Sequence, residues 1–102
     1  MAADLLVSPR ANDHIAEAAE WYDSKQEGLG DQFLASIEHC LAQICDHPQI
    51  YMTVDNINRR ALLERFPYAI YFSFENNLVI VHGVCHTARN SSKWHKWLFE
   101  HQ

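Results

Sequence analysis

Hydrophobic residues in the first half of the chain recur with the period of a helix. A short apolar strand within residues 4–8 ends at Ser8-Pro9, which offers an N-cap hydroxyl and a proline suited to the first helical position. One apolar stripe then runs to about Lys25, and a second stripe ends at His47-Pro48. Only about five residues join the two stripes, so we predict an antiparallel helical hairpin.

The pattern changes to that of strands after Pro48. β-Branched and aromatic residues predict a strand at 50–54 and, after a turn at Asp55-Asn56, another at 58–64. The segments 68–74 and 78–86 predict a hairpin about the turn 75–77, because asparagines favour such turns. Both segments are apolar on both faces, which is typical of central strands.

The end of the chain predicts a last short helix. Asn90-Ser91-Ser92 is suited to cap it, and Trp94, Trp97 and Leu98 would share one side. The element order is therefore β-α-α-β-β-β-β-α. We predict an α+β fold over residues 1–102, a single domain with the helical hairpin packed on a mainly antiparallel sheet, because the helices come early and the strands late.

Charge is distributed unevenly along the chain. The net charge is −5, and residues 1–50 hold two basic and nine acidic residues, whereas residues 51–102 hold six basic and four acidic ones. Non-specific nucleic-acid binding requires many cations to replace phosphate counterions, so the total argues against it. We expect any anion-facing surface to lie in the second half.

The residues suited to covalent or metal chemistry are poorly placed for it. Three cysteines without a C-x-x-C pair indicate neither a disulfide framework nor a zinc ribbon. Strand alternation would put His82 and His86 on one face but about 13 Å apart, too far to share a zinc ion, and Cys85 on the opposite face from His86. The sequence therefore predicts no metal and no cofactor.

The first ten residues lack a basic leader, and their apolar run is short, so we expect a cytoplasmic protein without a membrane anchor.

Several motifs in this order resemble the RelE/ParE toxin superfamily, whose members are often described as plasmid-stabilisation proteins. The matching segments are Ser8-Pro9-Arg10-Ala11, Glu20-Trp21-Tyr22, Gly28 to Leu34, His47-Pro48, Arg59-Arg60, Arg65 to Phe72, and His86 with Arg89 and Trp94. The resemblance implies the toxin of a type II toxin-antitoxin system, a ParE-like fold and a hetero-oligomer with a cognate antitoxin, whose arm silences the toxin. ParE-like members poison DNA gyrase, and RelE-like members cut mRNA on the ribosome.

The nuclease alternative needs cations and a proton donor that this sequence largely lacks. The strand 68–74 has no basic residue, with Ala69 about where similar nucleases place an arginine. Trp94 falls near the expected C-terminal acid, and an indole has only an N–H donor. The resemblance leaves Arg65, His86 and Arg89 as catalytic candidates. The departures favour the gyrase inhibitor, a protein that acts by binding rather than as an enzyme.

The residues expected to contact a target are Arg59, Arg60, Arg65, Arg89 and Trp94, because arginine forks recognise phosphates and carboxylates. Two structural alternatives stay open: Arg60 and Arg65 pair with Glu64 or the acidic helices or are simply solvated, and His86 is satisfied by a backbone carbonyl. A third functional alternative is a detoxified relative kept as a binding module.

Overall fold

A computed structural model describes residues 2–88 of the chain. Two helices, α1 (Pro9–Lys25) and α2 (Leu29–Asp46), follow the first strand, β1 (Asp4–Val7). A 3-10 turn at Pro48–Ile50 leads into four more strands: β2 (Met52–Thr53), β3 (Asn58–Leu62), β4 (Tyr68–Glu75) and β5 (Leu78–His86). The α+β fold is confirmed, and the predicted last helix lies outside the described residues.

Local residues determine where the two helices of the hairpin begin and how closely they pack. The Ser8 hydroxyl accepts a hydrogen bond from the backbone N–H of Ala11 at 3.1 Å, and Pro9 occupies the first turn. Gly28 precedes α2 with φ 86°, a left-handed conformation that favours glycine. Gly30 lets the helices approach closely, because a Cβ there would lie 2.5 Å from the Ala19 carbonyl oxygen.

The five strands form one mixed sheet in the order β1-β5-β4-β3-β2. β1 runs parallel to β5, and every other neighbouring pair is antiparallel. Asn76 and Asn77 turn the chain between β4 and β5 at φ 53° and 60°, as the predicted hairpin requires. The strands predicted at 68–74 and 78–86 are therefore confirmed as the central pair.

The helices cover one face of this sheet, which we call the inner face. Its core contains Phe33 and Ile44 of α2 against Ile70, Phe72 and Val81, all fully buried. A smaller cluster lies on the other, outer face, where Ala69, Tyr71 and Cys85 are nearly fully buried and contact Val54. The two clusters explain why β4 and β5 are apolar on both faces.

A β-bulge in β5 corrects the expected placement of two histidines. Tyr71 pairs with Gly83 and Phe72 pairs with Val81, so His82 is the extra residue. The bulge restarts the alternation of side chains. His82 therefore contacts Ser73 on the outer face, whereas His86 packs on the Tyr68 ring, which belongs to the inner core. The prediction that these histidines share a face is wrong.

The strand predicted at 50–54 is shorter in the structure. Ile50 belongs to the 3-10 turn and donates its N–H to the His47 carbonyl at 3.3 Å, leaving only Met52–Thr53 paired with β3. The proline at 48 favours the turn, because its fixed φ suits a helical first position. The apolar composition of residues 50–54 predicted a strand, but Ile50 belongs to the 3-10 turn and β2 begins only at Met52.

Candidate functional site

Arg59 supports the fold beside the edge strand. Its Nη1 donates to the backbone carbonyl oxygens of Tyr51 at 2.8 Å and Gln49 at 3.2 Å. These bonds hold the 3-10 turn and the start of β2 against β3. The guanidinium predicted to face a target is thus engaged with the chain itself.

Arg60 lies on the outer face, where it pairs with Tyr71 across β3 and β4. Burial raises the pKa of the Tyr71 phenol, and the hydrogen bond and positive charge of Arg60 partly offset that rise. Tyr71 is therefore a neutral hydroxyl at physiological pH. Arg60 is half-buried on this face.

A serine–histidine pair lies near Arg60 on the same face. The Ser73 hydroxyl and His82 Nε2 are 2.9 Å apart, and burial lowers the pKa of His82, with Asp55 partly offsetting that effect. A neutral imidazole can take the hydroxyl proton, which is the first requirement of a serine nucleophile. Sequence reasoning missed this pair, because the register of the β4–β5 hairpin and the bulge bring the two residues together.

Arg65 follows β3 in an exposed loop on the helix side of the sheet. Its Nη2 donates to Gln32 Oε1 of α2 at 2.8 Å, and its guanidinium carbon lies 5.6 Å from the centre of the Phe66 ring. The partner on α2 is a neutral amide and not one of the acidic side chains expected from the sequence. Arg65 remains exposed and able to bind an anion.

His86 ends β5 and is held by its neighbours. Its Nδ1 accepts the backbone N–H of Ala88 at 3.1 Å, and its ring packs edge-on against Tyr68 at 5.3 Å. The adjacent Cys85 lies on the opposite face, where burial raises the pKa of its thiol to about 12. Cys85 and His86 therefore do not form a thiolate nucleophile.

Two of the three catalytic candidates, Arg65 and His86, lie against one aromatic cluster. Arg65 packs on Phe66 and His86 on Tyr68, and the Phe33 ring contacts both of these aromatic rings at 5.3 and 5.1 Å. Arg89 and Trp94, the other predicted site residues, lie outside the described residues. Residues 2–88 contain no group of three or more histidine, cysteine or acidic side chains placed to hold a metal ion.

A groove of about 290 Å³ lies between α2 and the end of β3 at Leu62. Its α2 wall includes Ala35, His39 and Cys40, and its other wall includes Leu62 and Glu64. Burial raises the pKa of Cys40 to about 11, so this thiol is a neutral part of the wall. Sequence reasoning did not assign a role to these residues, because the groove forms only when α2 packs beside β3.

The chain matches a family described as the ParE toxin of the type II toxin-antitoxin system parDE, over residues 5–91. Among solved structures, a chain of the chromosomal ParDE TA system from P. aeruginosa shares the fold with a TM-score of 0.62 at 13% sequence identity. The alignment covers 82% of this chain and 95% of that one. No curated protein matches with significance.

None of the helices in residues 2–88 has the length and hydropathy to cross a membrane.

The family match spans most of the chain and includes both helices and all five strands. The resemblance expected from the ordered motifs is therefore confirmed. The chain belongs to the ParE toxin family of type II toxin-antitoxin systems, within the RelE/ParE superfamily.

Proposed function

We propose that this protein inhibits DNA gyrase by binding it, without catalysis, and that a cognate antitoxin neutralises it in a cytoplasmic hetero-oligomer. The observation that carries the proposal is that both described catalytic candidates are engaged with the chain itself: Arg65 is hydrogen-bonded to Gln32, and His86 Nδ1 accepts the backbone N–H of Ala88. Phosphodiester cleavage needs a base, an acid and cations around one phosphate. β4, at the centre of the sheet, also offers no basic residue to such a site.

Gyrase inhibition and mRNA cleavage can be separated with the purified chain. We expect the chain to block DNA supercoiling by purified gyrase and to leave mRNA intact on translating ribosomes. Site-specific cuts in the mRNA, with normal supercoiling, would establish the endonuclease alternative instead. Harmless expression in a host that lacks the adjacent gene, together with neither effect in vitro, would identify a detoxified relative.

The contact with the target depends, in this proposal, on cations of the second half, with Arg60, Arg65 and Arg89 as its members. Arg89→Ala should abolish toxicity on induction and leave the thermal midpoint nearly unchanged. Lys25→Ala, which removes an exposed cation from the acidic hairpin, serves as the control and should remain toxic. A large fall in the thermal midpoint of Arg89→Ala would assign that residue to the fold.

A further inference from the structure

β1 is an edge strand with one open side. It lies at one end of the sheet order, with β5 as its neighbour. Asp4 and Ser8 donate their N–H groups toward β5, to carbonyl oxygens at 2.9 and 3.0 Å. Neighbouring residues of a strand direct their backbone groups to opposite sides, so those of Leu5 and Val7 point away from β5. Among residues 2–88 no strand pairs with them.

This edge lacks the features that usually keep an exposed strand from pairing. Natural edge strands are commonly protected by a lysine, a proline or a bulge within the strand. Asp4–Val7 contains no lysine or proline, and it pairs with β5 in an unbroken register. Leu5 and Leu6 are 43% and 54% exposed. An apolar edge of this kind is typical of a contact with another chain.

The open backbone groups make β1 complementary to a second copy of itself. In an antiparallel pair about a two-fold axis, Leu5 can exchange both of its backbone hydrogen bonds with Val7 of the partner subunit, because both residues point outward. The symmetry generates the same pair a second time. Leu6 then lies beside the axis, directly opposite Leu6 of the partner subunit.

The same register brings apolar side chains together on both faces of the sheet. Leu6 pairs with Ile80, which lies opposite Ser73 on the outer face, so the two exposed Leu6 side chains meet there. Leu5 and Val7 lie on the inner face, since their partners in β5 belong to the inner core. Contacts between apolar side chains on neighbouring strands are a main source of stability in sheets.

Charge also complements this pairing. Asp4 lies opposite Ser8 of the partner subunit, the residue that caps α1. The first turn of α1 has no acidic side chain and includes Arg10, which is exposed. The N-terminal end of a helix attracts a carboxylate, so each copy would place Asp4 near a positive end of the other. Within Asp4–Val7 the register brings no like charges together.

We propose that two copies of this chain associate through β1, in a two-fold antiparallel pairing centred on Leu6 that joins their sheets into one. The pairing uses the edge of the sheet farthest from β2 and β3, so it does not involve Arg60 of the proposed target contact. The paired strands are short, and we therefore expect a reversible dimer in equilibrium with the monomer.

A cysteine at position 6 tests the register directly. Opposite residues of a non-hydrogen-bonded antiparallel pair have Cα atoms about 4.5 Å apart, within reach of a disulfide, whereas diagonal neighbours are about 7–8 Å apart. Leu6→Cys should therefore form a disulfide-linked dimer with oxidised glutathione on a non-reducing gel. The matched control Leu5→Cys, whose two copies are diagonal neighbours, should remain mostly monomeric. The three native cysteines are buried, so the wild type should not cross-link.

Sedimentation equilibrium measures the dimer without cross-linking. Leu6→Lys places two positive charges opposite each other and should weaken dimerisation at least about tenfold. Leu34→Lys makes the same change at a leucine of α2 that is 37% exposed, and it should dimerise within about twofold of the wild type.

Each outcome bears on a different part of the proposal. A wild type that remains monomeric at every concentration would overturn the dimer. Dimerisation that Leu6→Lys leaves unchanged would overturn the contact through β1, and equal cross-linking of Leu5→Cys and Leu6→Cys would overturn the register. If Leu6→Lys lowers the unfolding midpoint, the two cysteine variants decide the question by themselves.

Discussion

At the residue scale, neighbouring arginines of β3 have different roles. Arg59 is bonded to two backbone carbonyls, whereas Arg60 lies on the outer face beside Tyr71. Arg59→Met should lower the free energy of unfolding by about 1.5–3 kcal/mol, because charge-assisted hydrogen bonds are lost and two carbonyls lose their partner. Arg65→Met, at an exposed position, should cost less than about 1 kcal/mol. Urea unfolding measures both, and equal losses would show that the two carbonyls are satisfied without Arg59.

Two glycines of the hairpin turn should respond differently to alanine. A Cβ at Gly30 would lie 2.5 Å from the Ala19 carbonyl oxygen and 2.7 Å from Asp23 Cγ, so Gly30→Ala must push the helices apart, at a cost of about 1–3 kcal/mol. Gly28 has open space around it but a φ of 86°, so Gly28→Ala should cost about 1 kcal/mol through backbone strain alone.

Asparagine separates these two causes, because it tolerates the left-handed conformation better than alanine. Gly28→Asn should recover part of the stability that Gly28→Ala loses, whereas Gly30→Asn should be at least as unstable as Gly30→Ala. Unfolding midpoints in urea give the comparison. Recovery by asparagine at position 30 would mean that packing between the helices does not limit that site.

At the element scale, local signals predicted the elements, and long-range pairing determined how they are arranged. Ser8-Pro9 and Asn76-Asn77 predicted the start of α1 and the β4–β5 turn, because capping and turn chemistry are local. The parallel pairing of β1 with β5 brings together the first and last strands of residues 2–88 and leaves no local signal in the sequence. The bulge at His82 is equally hidden, and it alone decides which face the later residues of β5 occupy.

The attachment of α1 to β5 should weaken in mild acid. His14 Nδ1 accepts the backbone N–H of Val84 at 3.1 Å, which requires a neutral imidazole, and burial lowers its pKa, with Arg10 adding to the effect. Burial likewise lowers the pKa of His82, which is bonded to Ser73. The unfolded chain therefore takes up these protons at a higher pH than the folded one.

The sign of the pH dependence follows from that difference. The stability that depends on neutral His14 and His82 is fully present above pH 6.5 and declines as pH falls below 6.5, until the folded state also protonates. The slope cannot exceed about 1.4 kcal/mol per pH unit for each histidine. His14→Gln keeps an acceptor without titrating, so its free energy of unfolding should fall less between pH 7.5 and 5. A slope as steep as that of the wild type would exclude His14 as a source.

At the scale of the whole molecule, the sequence predicted the fold better than the site. The family motifs within residues 2–88 lie on or between elements that the structure contains. Three of their arginines nevertheless lie on different surfaces: Arg59 against the turn, Arg60 on the outer face, and Arg65 beside α2. Side-chain type indicates what a residue can bind, but the register of β3 and the packing of α2 decide where it is presented. The groove at Leu62 arises from the same packing of α2 beside β3, so no local sequence pattern predicts it.

The overall charge predicts how the proposed gyrase inhibitor would reach its target. With a net charge of −5, the chain has too few cations to release many phosphate counterions, so it should not bind duplex DNA by itself at micromolar concentration in about 0.15 M salt. Fluorescence anisotropy with a labelled duplex measures this directly, and the same preparation should inhibit supercoiling when gyrase is added. Micromolar binding to DNA alone, with a steep salt dependence, would mean that a local basic surface outweighs the total charge. Its absence would leave a protein surface of gyrase as the required contact of the proposed inhibitor.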